Sequence, residues 1–314
     1  MRALAVEERV QAHKGLVIDS HEGYSIVDCS SCGFVHIDPL PDERDMERVY
    51  MDEYFTEEKP TFIKSVLEDL EWWNINYDER LDFMESRLGR ERRILDIGCG
   101  PGFFLQRAAR RGWQCLGVEP SKLAAEHAAG LGLAVKNEFF EGNELKKQGY
   151  VFDSIHASEV LEHVADPLGI LQESHSLLVQ GGIICAVVPN DYSPVQKVLR
   201  DSLGYSPYWL APPHHINYFT FDSMKALMRK AGFTIAGVSA TFPMDFFLLM
   251  GENYVDDQSL GRRSHGLRKN LDTMLSTPPL MAFKKDMYAL MARHGIGREM
   301  IIYGIKGERW PEQL

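Results

Sequence analysis

The 314-residue chain has no apolar stretch near the roughly 18 residues that a membrane-crossing helix requires; Ile183–Val188 and Phe246–Met250 are its longest apolar runs. No membrane span is expected. Met1–Gln11 has early charges at Glu7, Glu8 and Arg9 and no apolar segment of the kind a secretory signal carries. Cysteine is scarce: Cys29, Cys32, Cys99, Cys115 and Cys185 are an odd five in a long chain, which argues against a disulfide framework and for a reducing compartment, with the cytoplasm as the expected address. Basic residues are outnumbered 34 to 45, for a net charge of −11. That balance weighs against nucleic acid as a partner, because phosphate neutralisation needs the opposite sign. It favours cofactors that carry positive charge. Internal repeats and low-complexity segments are also absent.

A hydrophobic fraction of 45% and the chain length suit one large α/β unit with additions. Residues 1–60 read as a small β module, with strands over Tyr24–Val27 and Phe34–Ile37 around a Cys29-Ser-Ser-Cys32-Gly33 turn. Steps of three and four among Ile63, Val66, Leu67, Leu70, Trp73, Tyr77, Leu81, Met84 and Leu88 predict one helix over Phe62–Leu88. Trp72 and Trp73 on it are expected to bury against the sheet. Strands and helices then alternate from Ile94 to Ser239, which implies a parallel sheet covered on both faces. Asp166-Pro167 should cap a helix, and Gly181-Gly182 should close it. A helical insertion over residues 243–297, read as a lid or a dimer contact, precedes the closing strand Glu299–Lys306. The core domain is therefore residues 61–242 plus 298–314.

The sharpest pattern is Ile94-Leu-Asp96-Ile-Gly98-Cys99-Gly100-Pro-Gly102-Phe103, a strand running through a glycine loop into a helix. Glu119 ends the next strand about 20 residues on, where a carboxylate can bind ribose hydroxyls. A dinucleotide fingerprint needs a small residue where Phe103 stands. A carboxylate at Asp96 would also repel a docked diphosphate, more strongly at low dielectric. S-adenosylmethionine has no phosphate, and its ammonium and sulfonium are both cationic. The loop prefers that cofactor over a nicotinamide dinucleotide.

These motifs, with Val118-Glu119-Pro120-Ser121, resemble those of class I S-adenosylmethionine-dependent methyltransferases, and Phe152–Pro167, including Ser158, Glu159 and His163, is similar to the family's next block. The resemblance covers about residues 90–240. It implies a Rossmann-like seven-stranded sheet with an antiparallel last strand, in agreement with the hairpin reading of Glu299–Lys306. It also implies that Asp96, Gly98, Cys99, Gly100, Gly102 and Phe103 hold the aminoacyl part, that Glu119, Pro120 and Ser121 hold the ribose, and that Ser158 and Glu159 flank the methionine. Residues near Glu138 would approach the adenine.

Methyl transfer to a hydroxyl also requires loss of a proton, a task suited to histidine. His163, His214 and His215 fall at carboxyl ends of strands, where open α/β sheets bind ligands. Pro213–Thr220 resembles a block of sugar methyltransferases in which a histidine three residues before an aromatic pair works at the acceptor; His215 takes that position before Tyr218-Phe219. His214 and Pro213 depart from the carbon-methylating members, which leaves transfer to oxygen or nitrogen. The alternative for His215 is a residue orienting the turn, and for His163 a brace of its loop. Asn190–Thr220, rich in Pro and Tyr, reads as a lid or binding loop.

Cys29-x-x-Cys32-Gly-Phe followed by Asp38-Pro39-Leu-Pro41 is similar to the amino-terminal module of zinc-carrying sugar methyltransferases. Their second cysteine pair is missing; only His13 and His21 precede Cys29, and His36 follows Cys32. Two sulfurs are too few for a closed site, so no metal is expected. The resulting expectation is a methyltransferase acting on a small-molecule acceptor, a sugar or nucleotide-linked sugar, with an aromatic or quinone-like metabolite, or a cofactor-binding module without turnover, as alternatives. A homodimer is compatible with the sequence.

Overall fold

The structure, a computed structural model, describes residues 13–51, 59–89 and 92–307. The expectation for Met1–Gln11 lies outside the described residues, as does residue 308 onward of the core domain. Among the described residues no helix is long and apolar enough to cross a membrane.

The seven-stranded sheet has the order β10-β11-β8-β7-β4-β5-β6, with β4 at Arg93–Ile97, β5 at Gln114–Val118, β6 at Ala134–Lys136, β7 at Phe152–Ser158, β8 at Leu178–Pro189, β10 at Phe233–Ala240 and β11 at Glu299–Lys306. Strands β6 to β8 are parallel, and β11 runs antiparallel between β8 and β10. Strand β8 explains why its sequence is continuously apolar. Ile183, Cys185 and Val187 enter one core with Tyr77, Leu81, Met84, Phe104 and Tyr303, while Ile184, Ala186 and Val188 enter the other with Leu171, Met224, Met228 and Ala292. A strand buried on both faces has no polar side to alternate with.

The helix closing onto β8 ends earlier than the glycines imply. It spans Pro167–Leu177, opened as expected by Asp166, whose side chain accepts from the Gly169 amide at 2.9 Å. Leu178 is already extended, so Gly181-Gly182 lie inside the strand. Gly181 has φ 77°, and a Cβ on Gly182 would meet backbone oxygens of Val179 and Asp153 at 2.9 and 3.2 Å. The glycines serve a strand irregularity rather than a helix stop.

The amino-terminal module is a four-stranded sheet rather than a hairpin. β1 (Gly15–His21), β2 (Tyr24–Cys29) and β3 (Phe34–Asp38) pair antiparallel, and β9 (Asn217–Tyr218) joins β3 from the core domain. Strand β1 went unread because its Leu16 and Val17 are exposed, which gives no inward-outward alternation. The segment read as a lid loop contains β9 and a helix, Pro194–Leu203, with a Ser193/Gln196 capping box and Gly204 in the left-handed conformation after it. Three of its aromatics, Tyr192, Trp209 and Tyr218, pack with Ile26 and Ile37 between module and core domain.

The expected single helix over Phe62–Leu88 is two, Phe62–Glu68 and Leu70–Glu85, broken at Asp69. The Asp69 carboxylate is held by Lys269 and by His265 at 3.1 Å, both on the insertion helix Gln258–Leu275. Trp72 is buried against that helix and not against the sheet, donating to Asp272 at 3.0 Å beneath the Arg268 guanidinium. The second long insertion helix, Met281–Arg293, directs Lys284, 1% exposed, to Glu79 at 2.7 Å and Ser276 at 3.0 Å. The insertion is thus docked on the helical face by polar contacts. Removing one partner of a buried ion pair leaves the other uncompensated, so Lys284→Ala should lower unfolding stability by about 3 kcal/mol in urea titrations. A loss under about 1 kcal/mol would mean that this contact does not hold the insertion.

Candidate active site

The strand order reverses at the β4/β7 boundary, so the segments after these two strands diverge and open a crevice at their carboxyl ends. After β4, Gly98, Gly100 and Gly102 all adopt positive φ, at 64°, 52° and 86°. A Cβ would meet Val160 at 2.8 Å from Gly98 and Ala128 at 2.7 Å from Gly102, so both conformation and space demand glycine. The loop leads into the helix Phe103–Arg110, and His127 braces it: its Nδ1–H donates to the Pro101 carbonyl at 2.8 Å.

Asp96 is the penultimate residue of β4 and is 3% exposed. Its Oδ1 lies 2.6 Å from Nδ1 of His156, itself buried on β7 and stacked on Phe104. Arg80 Nη1 is 3.3 Å from His156 Nε2 and 3.3 Å from the Ser158 hydroxyl. A guanidinium can only donate, so Nε2 accepts and the imidazole proton sits on Nδ1, aimed at Asp96. Burial lowers the His156 pKa despite Asp96, which keeps the ring neutral. Glu119 accepts from the Gly100 amide through Oε2 and from the Ser121 amide through Oε1, both at 2.8 Å. Burial first, and then the Asp96 charge, push its carboxyl up to about 7 against the pull of those two amides. Asn137 closes this corner by donating to the carbonyls of Glu119 and Pro120, each at 2.9 Å.

The residues expected around the cofactor are therefore together, with different duties. Asp96, Glu119, Pro120 and Ser121 surround the glycine loop. Cys99 and Phe103 are buried in the core beside Leu105 and Tyr77, so their side chains pack rather than line the crevice. Glu159 follows Ser158 at the rim with φ 56°, a left-handed conformation uncommon for its residue type. Glu138, expected near the adenine, is exposed and 3.8 Å from Lys136.

Across the crevice the three histidines converge. His163 Nδ1 lies 2.8 Å from the His214 carbonyl, which can only accept, so Nδ1 carries the proton and Nε2 is a lone pair 3.7 Å from Glu162 Oε1. The His163 and His215 rings meet edge-to-face at 4.9 Å, and the buried His215 Nδ1 has no hydrogen-bond partner. Burial, then the neighbouring His215, pull His163 down to about 3; burial, then Lys59, pull His215 down to about 4. Both rings are neutral near pH 7. Glu162 is fully buried and its carboxyl lies well above the ordinary range, through burial and the proximity of Glu159. Glu162, His163 and His215 each place a ligand-type atom within 4.8 Å of the others. Asp191 joins this neighbourhood, also raised by burial and Glu159. Asn217 holds the two loops in register, donating to the carbonyls of Leu161 at 2.9 Å and Val164 at 2.7 Å.

Arg80, His156, His127, Asn137, Glu162 and Asp191 escaped the sequence reading. Only Glu162 carried a local signal, its place between Glu159 and His163. The others act across long chain separations that spacing does not reveal.

A doubly wound sheet with a glycine loop, two buried carboxylates and neutral partners on both of them defines a class I Rossmann-like binder of a nucleoside-type, cation-bearing cofactor. Residues 73–237, just over half of the chain, match the family model described as a methyltransferase domain, and the chain belongs to that family. S-adenosylmethionine is the methyl donor of this class, and the carboxylates of Asp96 and Glu119 fit its cationic aminoacyl end and its ribose. The chain is 34% identical to a ubiquinone biosynthesis O-methyltransferase of Ruegeria pomeroyi over 158 residues, which span 46% of this chain but only 63% of that relative. It is 30% identical to the protein of the same name from Parvibaculum lavamentivorans over 193 residues, 59% of this chain and 76% of that one. Among solved structures it is similar to the plantazolicin methyltransferase BamL in complex with a triazolic desmethylPZN analog and SAH, with TM-score 0.51, 18% identity, and 84% and 98% of the two chains covered.

If Glu119 holds the ribose, its protonation would leave one carboxyl oxygen rather than two to accept from the ribose hydroxyls. Affinity for S-adenosylhomocysteine, measured by calorimetry, should fall as pH drops below about 7, by up to about tenfold per pH unit. Glu119→Gln should bind weakly at every pH and lose this dependence. An affinity that stays flat between pH 8 and 5.5 in the unsubstituted protein would contradict the role.

Proposed function

We propose that the protein transfers the methyl group of S-adenosylmethionine to a hydroxyl of a small ring-bearing acceptor, a hydroxylated quinone-like metabolite before a sugar. The observation that carries this reading is the cluster of Glu162, His163 and His215 beyond the carboxyl end of β7, whose ligand-type atoms lie within 4.8 Å of one another and in which the buried His215 Nδ1 has no hydrogen-bond partner. Bound at the glycine loop, S-adenosylmethionine supplies an electrophilic methyl carbon. The O–CH3 bond forms as the S–CH3 bond breaks, and the acceptor's proton must leave.

His215 is the preferred base, and His163, oriented by the His214 carbonyl, stands next to it. Magnitudes favour an acidic hydroxyl. Against a base near pKa 4, a phenol-like hydroxyl at about 10 leaves a gap of about 6 units. A hydroxyl as weakly acidic as water, near 15.7, leaves about 12. Glu162, whose carboxyl is raised well above its ordinary range by burial and by Glu159, lies 3.7 Å from His163 Nε2 and puts no compensating charge beside the histidines while it holds its proton. The similarity to ubiquinone biosynthesis O-methyltransferases supports the same acceptor class. The sugar reading rests on the Pro213–Thr220 block and on the likeness of the Cys29–Pro41 stretch to the amino-terminal module of sugar methyltransferases, and the non-catalytic reading leaves the histidine cluster without a use.

Methylation should be assayed with a catechol-type ring acceptor and with a nucleotide-linked sugar. The ring should turn over, and His215→Ala should cut kcat by about 10²–10⁴ while leaving S-adenosylhomocysteine affinity unchanged. Turnover of the sugar alone would overturn the acceptor class, and an unaffected kcat would overturn the base assignment.

A further inference from the structure

The amino-terminal module brings together four side chains that its spacing alone does not connect. Cys29 ends β2, Cys32 lies in the following turn, His36 stands on β3, and His13 precedes β1. His13 Nδ1 is 3.3 Å from Cys32 Sγ and 3.7 Å from Cys29 Sγ, and all four residues place one ligand atom within 4.8 Å of the others. A zinc tetrahedron with legs of about 2.0–2.1 Å to nitrogen and about 2.3 Å to sulfur has nitrogen-to-sulfur edges of about 3.5 Å. The observed separations bracket that value.

The second observation is independent of those distances. His36 is 2% exposed and its Nδ1 lies 2.8 Å from the Ile37 carbonyl, which can only accept. The proton therefore sits on Nδ1, and Nε2 is a buried lone pair with no hydrogen-bond partner. Such an atom is costly unless something electrophilic meets it. A carbonyl holding the far nitrogen of an imidazole is also how metal-bound histidines are oriented. The turn is shaped likewise: the Cys32 amide points at Cys29 Sγ at 3.4 Å, as amides do toward metal-bound thiolates, and Gly33 takes φ 82°.

We propose that His13, Cys29, Cys32 and His36 form a closed Cys2His2 site for one zinc ion. Four protein ligands with no open position make the site structural rather than catalytic, and the mixed nitrogen and sulfur set suits zinc over harder cations. The site lies one strand from the acceptor side, because His36 and Val35 pair with Asn217 and Tyr218 of β9, next to His214 and His215. Zinc would fix the sheet edge from which that loop hangs. This inference does not depend on the acceptor or on the proposed base.

The full chain without an affinity tag, purified without chelator or added metal, should contain about one zinc per chain by elemental mass spectrometry. Replacing it with cobalt(II) should give the absorption of a tetrahedral thiolate site. Cys32→Ser should lower the zinc content at least tenfold; if that variant does not fold, the cobalt spectrum of the unsubstituted protein decides. Zinc below about 0.2 per chain after equilibration with zinc salt, iron in its place, or a Cys29–Cys32 disulfide in the fresh protein would each overturn the proposal.

Discussion

A carboxylate can stay out of water only where donors reach it, and the crevice is organised around that constraint. Asp96 is met by the imidazole of His156, and Glu119 by two backbone amides of the loops it joins. Those contacts fix the glycine loop against the end of β5. They also leave both acids with neutral partners, two amides and an imidazole, rather than cations. A cofactor bearing a sulfonium and an ammonium meets an edge prepared for it, whereas a diphosphate does not.

The opposite wall works by the converse rule. Histidines deprived of water lose their proton, and His163 and His215 stand neutral beside Glu162, whose carboxyl burial holds well above its ordinary range. Their placement depends on Asn217 and on the Pro213–Thr220 segment, part of which is a strand of the amino-terminal sheet. The small module is therefore structurally continuous with the segment that carries His214 and His215. The insertion is fastened both to the Phe62–Glu85 helical segment, through Asp69, Trp72 and Glu79, and to the Asn190–Thr220 segment, where Asn190 donates to the Gly295 and Gly297 carbonyls and Leu248 packs with Val195 and Leu199.

Much of the core was legible because its signals are local. The glycine loop, the Asp166 cap and the alternation of elements each declare themselves within a few residues, and Glu299–Lys306 forms its strand with the expected bounds. What stayed hidden depends on distant pairing. Nothing in the sequence near Asp96 announces His156 and Arg80, and nothing near Cys29 announces that His13 and His36 fold onto it. Helical periodicity ran through Asp69 because the break is made by Lys269 and His265, about 200 residues on. Composition marked Asn190–Thr220 as a lid or binding loop but did not show that Tyr192, Trp209 and Tyr218 fill the junction with the module, where Ile26 and Ile37 give them an apolar surface to cover.

The central claim, that paired acids at the first crossover receive a sulfonium nucleoside, is tested most directly by a crystal structure with S-adenosylhomocysteine. The account predicts ribose hydroxyls within about 3 Å of the Glu119 carboxylate and the aminoacyl group over Gly98–Gly102 beside Asp96. Density for the ligand away from both acids, or a nicotinamide dinucleotide seated with its diphosphate on the glycine loop, would contradict it.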